Sequence, residues 1–201
     1  MKQTKDDIID LADLFIRTRG FNAFSYADIA GAMQFRKAAI HHHFPSKSDL
    51  GIKIMDNELR NIFDSRIRWA RLPGNEQLKK IVETFFRRSR KDQICLTGSL
   101  TPEYRTFADE MQEKVREMCK GILEWVTVIL EKGRREKNLH FEGTPGDRAL
   151  IVLSVLLSSL LLSGVLGTEI FDRMVNQMLM DIGAGFRVDD MQEEIPGHLI
   201  D

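Results

Sequence analysis

Residues 24–50, FSYADIAGAMQFRKAAIHHHFPSKSDL, have the pattern of two short helices, a tight turn and the start of a third helix. Ser25 and Asp28 have the spacing of a capping box, in which each side chain bonds the backbone N–H of the other residue, and they mark where the first helix begins. The packing face of that helix is small and apolar, with Ala27, Ile29, Ala30 and Met33. Gln34 interrupts this pattern, and an apolar spacing of helical period then restarts and ends at Phe44.

The second of these helices, at residues 36–43, is too short to be stable in isolation. We expect it to pack against the first helix with its N-terminal residues free to reach the edges of bases, as the recognition helix of a helix-turn-helix does. Ser46 and Asp49 repeat the capping-box spacing and predict a third helix directly behind it. The stretch therefore predicts a helix-turn-helix that binds double-stranded DNA.

Residues 8–55 resemble the N-terminal domain of TetR-family transcriptional regulators. The resemblance rests on an amphipathic first helix that ends in Arg-Gly-Phe at residues 19–21, on Asp-Ile-Ala at residues 28–30, and on a recognition helix that closes with HHFPSKSDL at residues 42–50. It implies that His43 packs inward. The DNA contacts that it implies are Ser25, Tyr26, Arg36, Lys37, Ala38, Ala39, His41, His42 and Lys47.

Three positions depart from the family pattern. Gln34 stands where the family has glycine, at a turn whose positive φ is costly for any other residue. Arg36 replaces a small polar helix cap and has no acceptor atom, so we expect its side chain to donate to phosphate or to guanine. His41 replaces a tyrosine and is a shorter donor to phosphate.

The composition is that of a soluble helical protein. Hydrophobic residues make up 43% and charged residues 29% of the chain, and only five prolines and two tyrosines are present, so we predict an all-α fold. The formal net charge is −1, and any attraction to nucleic acid has to be local. Residues 36–53 supply such a patch, with Arg36, Lys37, Lys47 and Lys53 against the carboxylate of Asp49.

The cysteine pattern and the N-terminal residues predict a cytoplasmic protein. Cys95 and Cys119 form no C-x-x-C pair, which favours reduced thiols. Residues 1–13 are too charged for a signal peptide.

Helical patterns continue along the chain and predict three segments. These are a helix-turn-helix domain at residues 1–50, a helical domain at residues 51–188 and an acidic, mobile tail at residues 189–201. The family resemblance implies that the middle segment binds an effector and forms a homodimer.

Residues 149–168 contain no charged side chain, and this stretch is long enough to span a membrane. Serines and Gly164 reduce their apolarity, so we favour a buried self-association helix over a membrane span. Together with the following helix it predicts a four-helix dimer interface to which each subunit contributes a pair. The predicted interface residues are Leu153, Leu156, Leu157, Leu160, Leu161, Gly164, Phe171, Met174 and Met178.

The family binds apolar or amphipathic effectors in a cavity among its middle helices. By resemblance, the effector pocket of this chain would include Phe85, Phe86, Cys95, Tyr104, Phe107, Met118 and Trp125. Cys95 has two interpretations. The basic residues just before it could lower the pKa of its thiol and make it a sensor, or it is an inert core residue.

The leading hypothesis is a ligand-responsive repressor that binds a palindromic operator as a homodimer. The alternative is a DNA-binding protein that is regulated by a protein partner or by thiol modification at Cys95. Neither a metal nor another cofactor is predicted, because successive side chains of the triplet at residues 41–43 point about 100° apart and cannot converge on one ion. The chain has no phosphate-binding or nucleophile motif, so an enzyme is not expected.

Overall fold

The computed structural model describes residues 2–191, with side chains from residue 5 onward. These residues form nine α-helices and two 3-10 turns, with no β-strand among them, which confirms the predicted all-α fold. The helices are α1 (Lys2–Arg19), α2 (Tyr26–Met33), α3 (Lys37–His43), α4 (Lys47–Trp69), α5 (Gly74–Ser89), α6 (Leu96–Leu100), α7 (Asp109–Arg135), α8 (Pro145–Leu166) and α9 (Glu169–Asp181). The 3-10 turns are Tyr104–Thr106 and Asp189–Met191.

The first compact unit contains residues up to 65 together with residues 94–121. It therefore extends beyond the domain boundary predicted at residue 50, and it includes α6 and the first part of α7. Its core is apolar and includes the fully buried side chains of Ile8, Ile16, Ile29, Ile40, Leu50, Met55 and Leu96. The predicted boundary between a DNA-binding and an effector-binding function stays a prediction, since packing and function need not divide a chain at the same residue.

A buried arginine joins three elements of this first unit. The Nε of Arg17 lies 2.6 Å from Asp13 on the same helix, and one terminal nitrogen, Nη2, lies 3.1 Å from Glu58 on α4. The backbone carbonyl of Arg17 accepts the N–H of Ile94, just before α6, at 2.9 Å. Only 5% of Arg17 is exposed, so the pairs with Asp13 and Glu58 offset the cost of burying its charge.

The second unit contains residues 66–93 and, of the residues described, 122–191. Trp69 and Trp125 stack here with ring centroids 5.6 Å apart. Arg90, at the end of α5, donates from one nitrogen to both carboxylate oxygens of Asp172 on α9, each at 2.7 Å. α8 packs closely against α9, and the ring of Phe171 on α9 is fully buried in the core of this unit.

The segment after α9 folds back onto that helix. The buried Asn176 accepts the backbone N–H of Val188 at 2.8 Å, and Met191 in the following 3-10 turn is 2% exposed. The predicted tail at residues 189–201 therefore starts with a packed turn. Its remainder, residues 192–201, lies outside the described residues.

The chain contains one helix, α8, that is long and apolar enough to cross a membrane by length and composition, among the residues described. Such a helix is weak evidence on its own, because the core helices of soluble proteins pass the same test. α8 is not buried on every side within this protomer. Several of its large apolar side chains are exposed: Leu150, Ile151, Leu161, Leu162, Val165 and Leu166.

Two backbones meet without intervening side chains where α5 begins. A Cβ atom added at Gly74 would overlap the backbone nitrogen and Cα of Gly133 on α7 and would lie 3.0 Å from the carbonyl oxygen of Ile129. No rotamer change can relieve such an overlap, since all three atoms belong to the backbone.

We predict that Gly74→Ala destabilises the protein by about 3 kcal/mol and lowers its melting temperature by roughly 6–12 °C. Thermal unfolding followed by circular dichroism measures this. The control is Gly146→Ala in the first turn of α8, where an added Cβ meets only the Thr144 hydroxyl at 3.9 Å. Equal melting temperatures for the two variants would show that α5 and α7 are free to separate at this point.

Candidate nucleic-acid interface

The first helix of the predicted helix-turn-helix begins at the expected capping box. The backbone N–H of Ser25 donates to the carboxylate of Asp28 at 2.7 Å, while the Ser25 hydroxyl caps the N-terminal N–H groups of α2. Hydrogen bonds from Ser25 hold the pKa of the Asp28 carboxyl below its usual range. Ser25 is exposed, but its hydroxyl also donates to Asp28 and is therefore occupied in fixing where α2 starts.

The turn between α2 and α3 keeps a left-handed backbone conformation despite the absence of glycine. Gln34 has φ 56° and ψ 35°, and the following N–H, of Phe35, donates to the carbonyl of Ala30 at 2.9 Å. A residue with a Cβ is strained in this region, so the chain adopts the turn at a cost of about 1 kcal/mol. The expected positive φ at Gln34 is present.

The N-terminal end of α3 presents an exposed surface, which we call the reading surface and define as residues 36–39. Arg36 is the N-cap residue, in extended conformation, and its side chain makes no capping hydrogen bond. Lys37, Ala38 and Ala39 are also exposed, whereas the next residue, Ile40, is completely buried. The buried Ile40 thus anchors the helix at its middle, and four of the residues that the resemblance assigned to DNA are exposed.

Tyr26 was predicted to contact DNA, but the structure places it inside the first unit. It is 5% exposed, and its hydroxyl lies 3.0 Å from the carbonyl oxygen of Phe44 and 2.5 Å from that of Ser46. Burial, with a smaller contribution from Asp49, raises the pKa of Tyr26 to about 12. Its hydroxyl therefore holds the turn between α3 and α4 and is not a free phosphate donor.

Lys47 was likewise predicted to donate to phosphate, and the structure directs it inward. Its ammonium donates to the backbone carbonyls of Phe21 and Phe24 and lies 4.6 and 4.1 Å from the centres of their rings. Desolvation by this burial lowers the pKa of the amine. Lys47 therefore joins the start of α4 to the segment that links α1 and α2.

The three consecutive histidines differ in their surroundings. His41 is exposed, with its ring 4.8 Å from that of Tyr26 and its Nδ1 3.4 Å from the carbonyl oxygen of Pro45. His42 is exposed, and His43 is half-buried. Among the residues whose side chains are described, no group of three histidine, cysteine, aspartate or glutamate side chains is placed to hold a metal ion.

The residues predicted for the effector pocket divide between the two compact units. Five of the seven are buried: Phe86, Cys95, Phe107, Met118 and Trp125. Phe85 and Tyr104 are half-buried. Cys95 caps the first turn of α6, where its sulfur accepts the N–H of Gly98 at 3.4 Å, and its thiol interacts electrostatically with Arg17.

The residues predicted for the dimer interface are partly core residues of the protomer itself. Leu156, Leu160, Phe171 and Met178 are between 0 and 4% exposed and are not available to a partner in this protomer. Leu153, Leu157 and Met174 are half-buried, while Leu161 and Gly164 are exposed. The prediction did not include the exposed residues Leu162, Val165 and Leu166, because apolar character alone does not tell which side of an uncharged helix faces its own protomer.

We predict that Tyr26→Phe costs about 1–2 kcal/mol near neutral pH, since it removes the one O–H proton that the carbonyl oxygens of Phe44 and Ser46 share. Folded Tyr26 keeps its proton up to pH about 12, whereas the unfolded residue loses it near pH 10. The contribution of the hydroxyl is therefore complete below pH 10 and is lost as the pH rises to 12. Urea unfolding across this range should show the two proteins converging in stability, and a constant difference would contradict the assigned geometry.

Comparison with known proteins agrees with this arrangement. Residues 8–52 match the family model of bacterial regulatory proteins, tetR family. The structure superimposes on a TetR-family transcriptional regulator from Agrobacterium tumefaciens with a TM-score of 0.83 and 28% identity, covering 90% of this chain and 98% of that one. The HTH-type transcriptional repressor NemR of Escherichia coli K12 is 18% identical over 163 residues, which are 78% of this chain and 81% of the repressor.

The structure of E. coli NemR in its reduced form has the same fold, with a TM-score of 0.71 at 16% identity over 89% of this chain and 97% of that one. The family match covers the helix-turn-helix and the first turn of α4, and the structural likeness covers the helices that follow. Residues 8–52 therefore form a DNA-binding domain of the TetR type, the chain as a whole is similar to TetR-family regulators, and the protein is a DNA-binding transcriptional regulator.

Proposed function

We propose that this regulator is a repressor that binds a palindromic operator as a homodimer and releases it in response to a small apolar or amphipathic effector. The observation that carries the DNA-binding half of the proposal is the reading surface, since four exposed residues precede a buried Ile40 on a helix held in a fixed orientation. The similarity to NemR, a transcriptional repressor, supports repression over activation. We also infer that the protein acts in the cytoplasm and is not an enzyme.

Arg36 is the residue on the reading surface best suited to distinguish bases. An arginine can bond the O6 and N7 atoms of guanine with two parallel hydrogen bonds, whereas the two alanines beside it offer only apolar contact. Lys37 is an exposed point charge and suits phosphate. Because Lys47 and Tyr26 are engaged internally, base and phosphate contacts fall on Arg36, Lys37 and the exposed histidines.

The exposed face of α8 supports a homodimer. Leu150, Leu161, Leu162 and Val165 are between 41 and 81% exposed and recur along one side of the helix at helical spacing. On α9, Met180 is 63% exposed. A face of this length is costly to leave in water, and a second copy of the same pair of helices is complementary to it by two-fold symmetry.

The effector proposal rests on the family and on the chemistry of the predicted lining. Aromatic and sulfur-containing side chains suit an apolar or amphipathic molecule, as in most small-molecule sites. α4 begins directly behind the recognition helix and contributes residues to both compact units. An effector that binds two conformations of the protein with different affinities would shift the equilibrium between them. α4 is a continuous helix that could transmit this shift to the helix-turn-helix.

Thiol modification at Cys95 is the second candidate for regulation, and the position of Arg17 near this cysteine favours it. Buried Arg17 interacts electrostatically with this thiol, and a nearby arginine is a common feature of reactive cysteines. Cys95 is 7% exposed, however, so a reagent must first open the packing around α6. A protein partner that regulates the body is a third possibility.

We predict that Arg36→Ala removes discrimination at one base pair of each half-site by about 1–3 kcal/mol and leaves the fold intact. DNA fragments selected from a random pool by the wild-type protein provide the operator, and fluorescence anisotropy over a salt series measures the affinity for it and for single-base variants. The control is Arg66→Ala, at an exposed arginine of α4. A uniform loss over all sequences would assign Arg36 to phosphate instead.

We predict that Leu162→Asp combined with Val165→Asp converts the dimer to a folded monomer with much weaker operator binding. Both side chains are exposed in the protomer, so the charges cost little until a partner covers them. Sedimentation equilibrium measures the assembly. Leu14→Asp is the matched control, because Leu14 on α1 and Leu162 are both 41% exposed. A double variant that stays dimeric would place the interface elsewhere.

A further inference from the structure

Phe35 occupies an unusual position in the turn between α2 and α3. Of the twelve phenylalanines, all of which the structure describes, only Phe35 and Phe63 are exposed, and Phe35 is 41% exposed. It directly precedes Arg36, the first residue of the reading surface. The ring therefore adds apolar area to the surface that is available to DNA.

The backbone around Phe35 is fixed, so its ring is presented from a defined point. Gln34 before it is held in the left-handed region, and the N–H of Phe35 itself donates to Ala30 at 2.9 Å. Relative to α3, Phe35 and Ile40 hold the two positions of a hydrophobic staple, the residue before the N-cap and the fourth helical residue. Packing of these two side chains, as in a staple, would cover part of the ring, and the exposed 41% is left for an external contact.

We propose that Phe35 contacts the C5-methyl group of a thymine in the operator and so specifies that base. This inference rests on the proposed DNA-binding function. The thymine methyl is the apolar group that a base pair presents in the major groove, and aromatic side chains are among those that contact it. The reading surface beside the ring has Arg36 and Lys37 as donors, and Ala38 and Ala39 offer little apolar area, which leaves Phe35 as the largest apolar group at this edge.

Replacement of thymine by deoxyuridine tests the contact, since deoxyuridine lacks only the methyl group. In an operator selected by the wild-type protein, each thymine of one half-site is replaced in turn and the affinity is measured by fluorescence anisotropy. The wild type should lose about fourfold at one thymine, as expected for one buried methyl group. Phe35→Ala should bind more weakly and show no loss at that position, whereas Phe63→Ala, the same change at the other exposed phenylalanine, should keep the wild-type pattern.

The outcomes separate the contact from a purely structural role. If Phe35 serves only as a staple, Phe35→Ala weakens binding but keeps the sensitivity to deoxyuridine, and the proposal is overturned. A wild-type protein that is insensitive at every thymine overturns it as well. Should Phe35→Ala unfold, Phe35→Leu keeps an apolar residue at the staple position, withdraws the far end of the ring and is expected to reduce the fourfold loss to less than twofold. A selection that yields no preferred sequence would instead refute the proposed DNA-binding function itself.

Discussion

The orientation of the DNA-binding surface depends on one half-buried ammonium, that of Lys47. Lys47 begins α4 and bonds the carbonyls of Phe21 and Phe24, which belong to the segment between α1 and α2. Those carbonyl oxygens lie outside the helices and accept no helical hydrogen bond. The Lys47 ammonium donates to them instead, and the two aromatic rings cover part of it. With the start of α4 fixed in this way, the Tyr26 hydroxyl fixes the preceding turn, and α3 has one position relative to α2.

Much of the fold was predictable because its signals are local. Ser25 and Asp28 mark the start of α2, and the apolar periodicity identifies the long helices, because caps and periodicity act over a few residues. The inward direction of Lys47 and Tyr26 was not predictable, since their acceptors lie between 18 and 26 residues away in the sequence. The resemblance to a family supplied the positions of these residues, but it did not supply the direction of their side chains.

The apolar helix α8 shows the same limit in another form. Its sequence contains no charge from residue 149 to residue 168, so nothing local distinguishes the side that packs on α9 from the side that remains exposed. Val165 is 81% exposed and Leu156 is fully buried, although both are branched apolar residues on one helix. That distinction arises only when the neighbouring helix is in place, because burial is a property of packing and not of the residue type.

The contact between Gly74 and Gly133 has a mechanical consequence. Where side chains separate two helices, a change of rotamer can relieve a close contact, whereas two backbones in direct contact have no such freedom. Here no side chain lies between the two backbones, and the Gly74 N–H also donates to the carboxylate of Glu136, the residue directly after α7, at 2.8 Å. The start of α5 and the end of α7 are thus rigidly coupled, and the two segments should move together as one body.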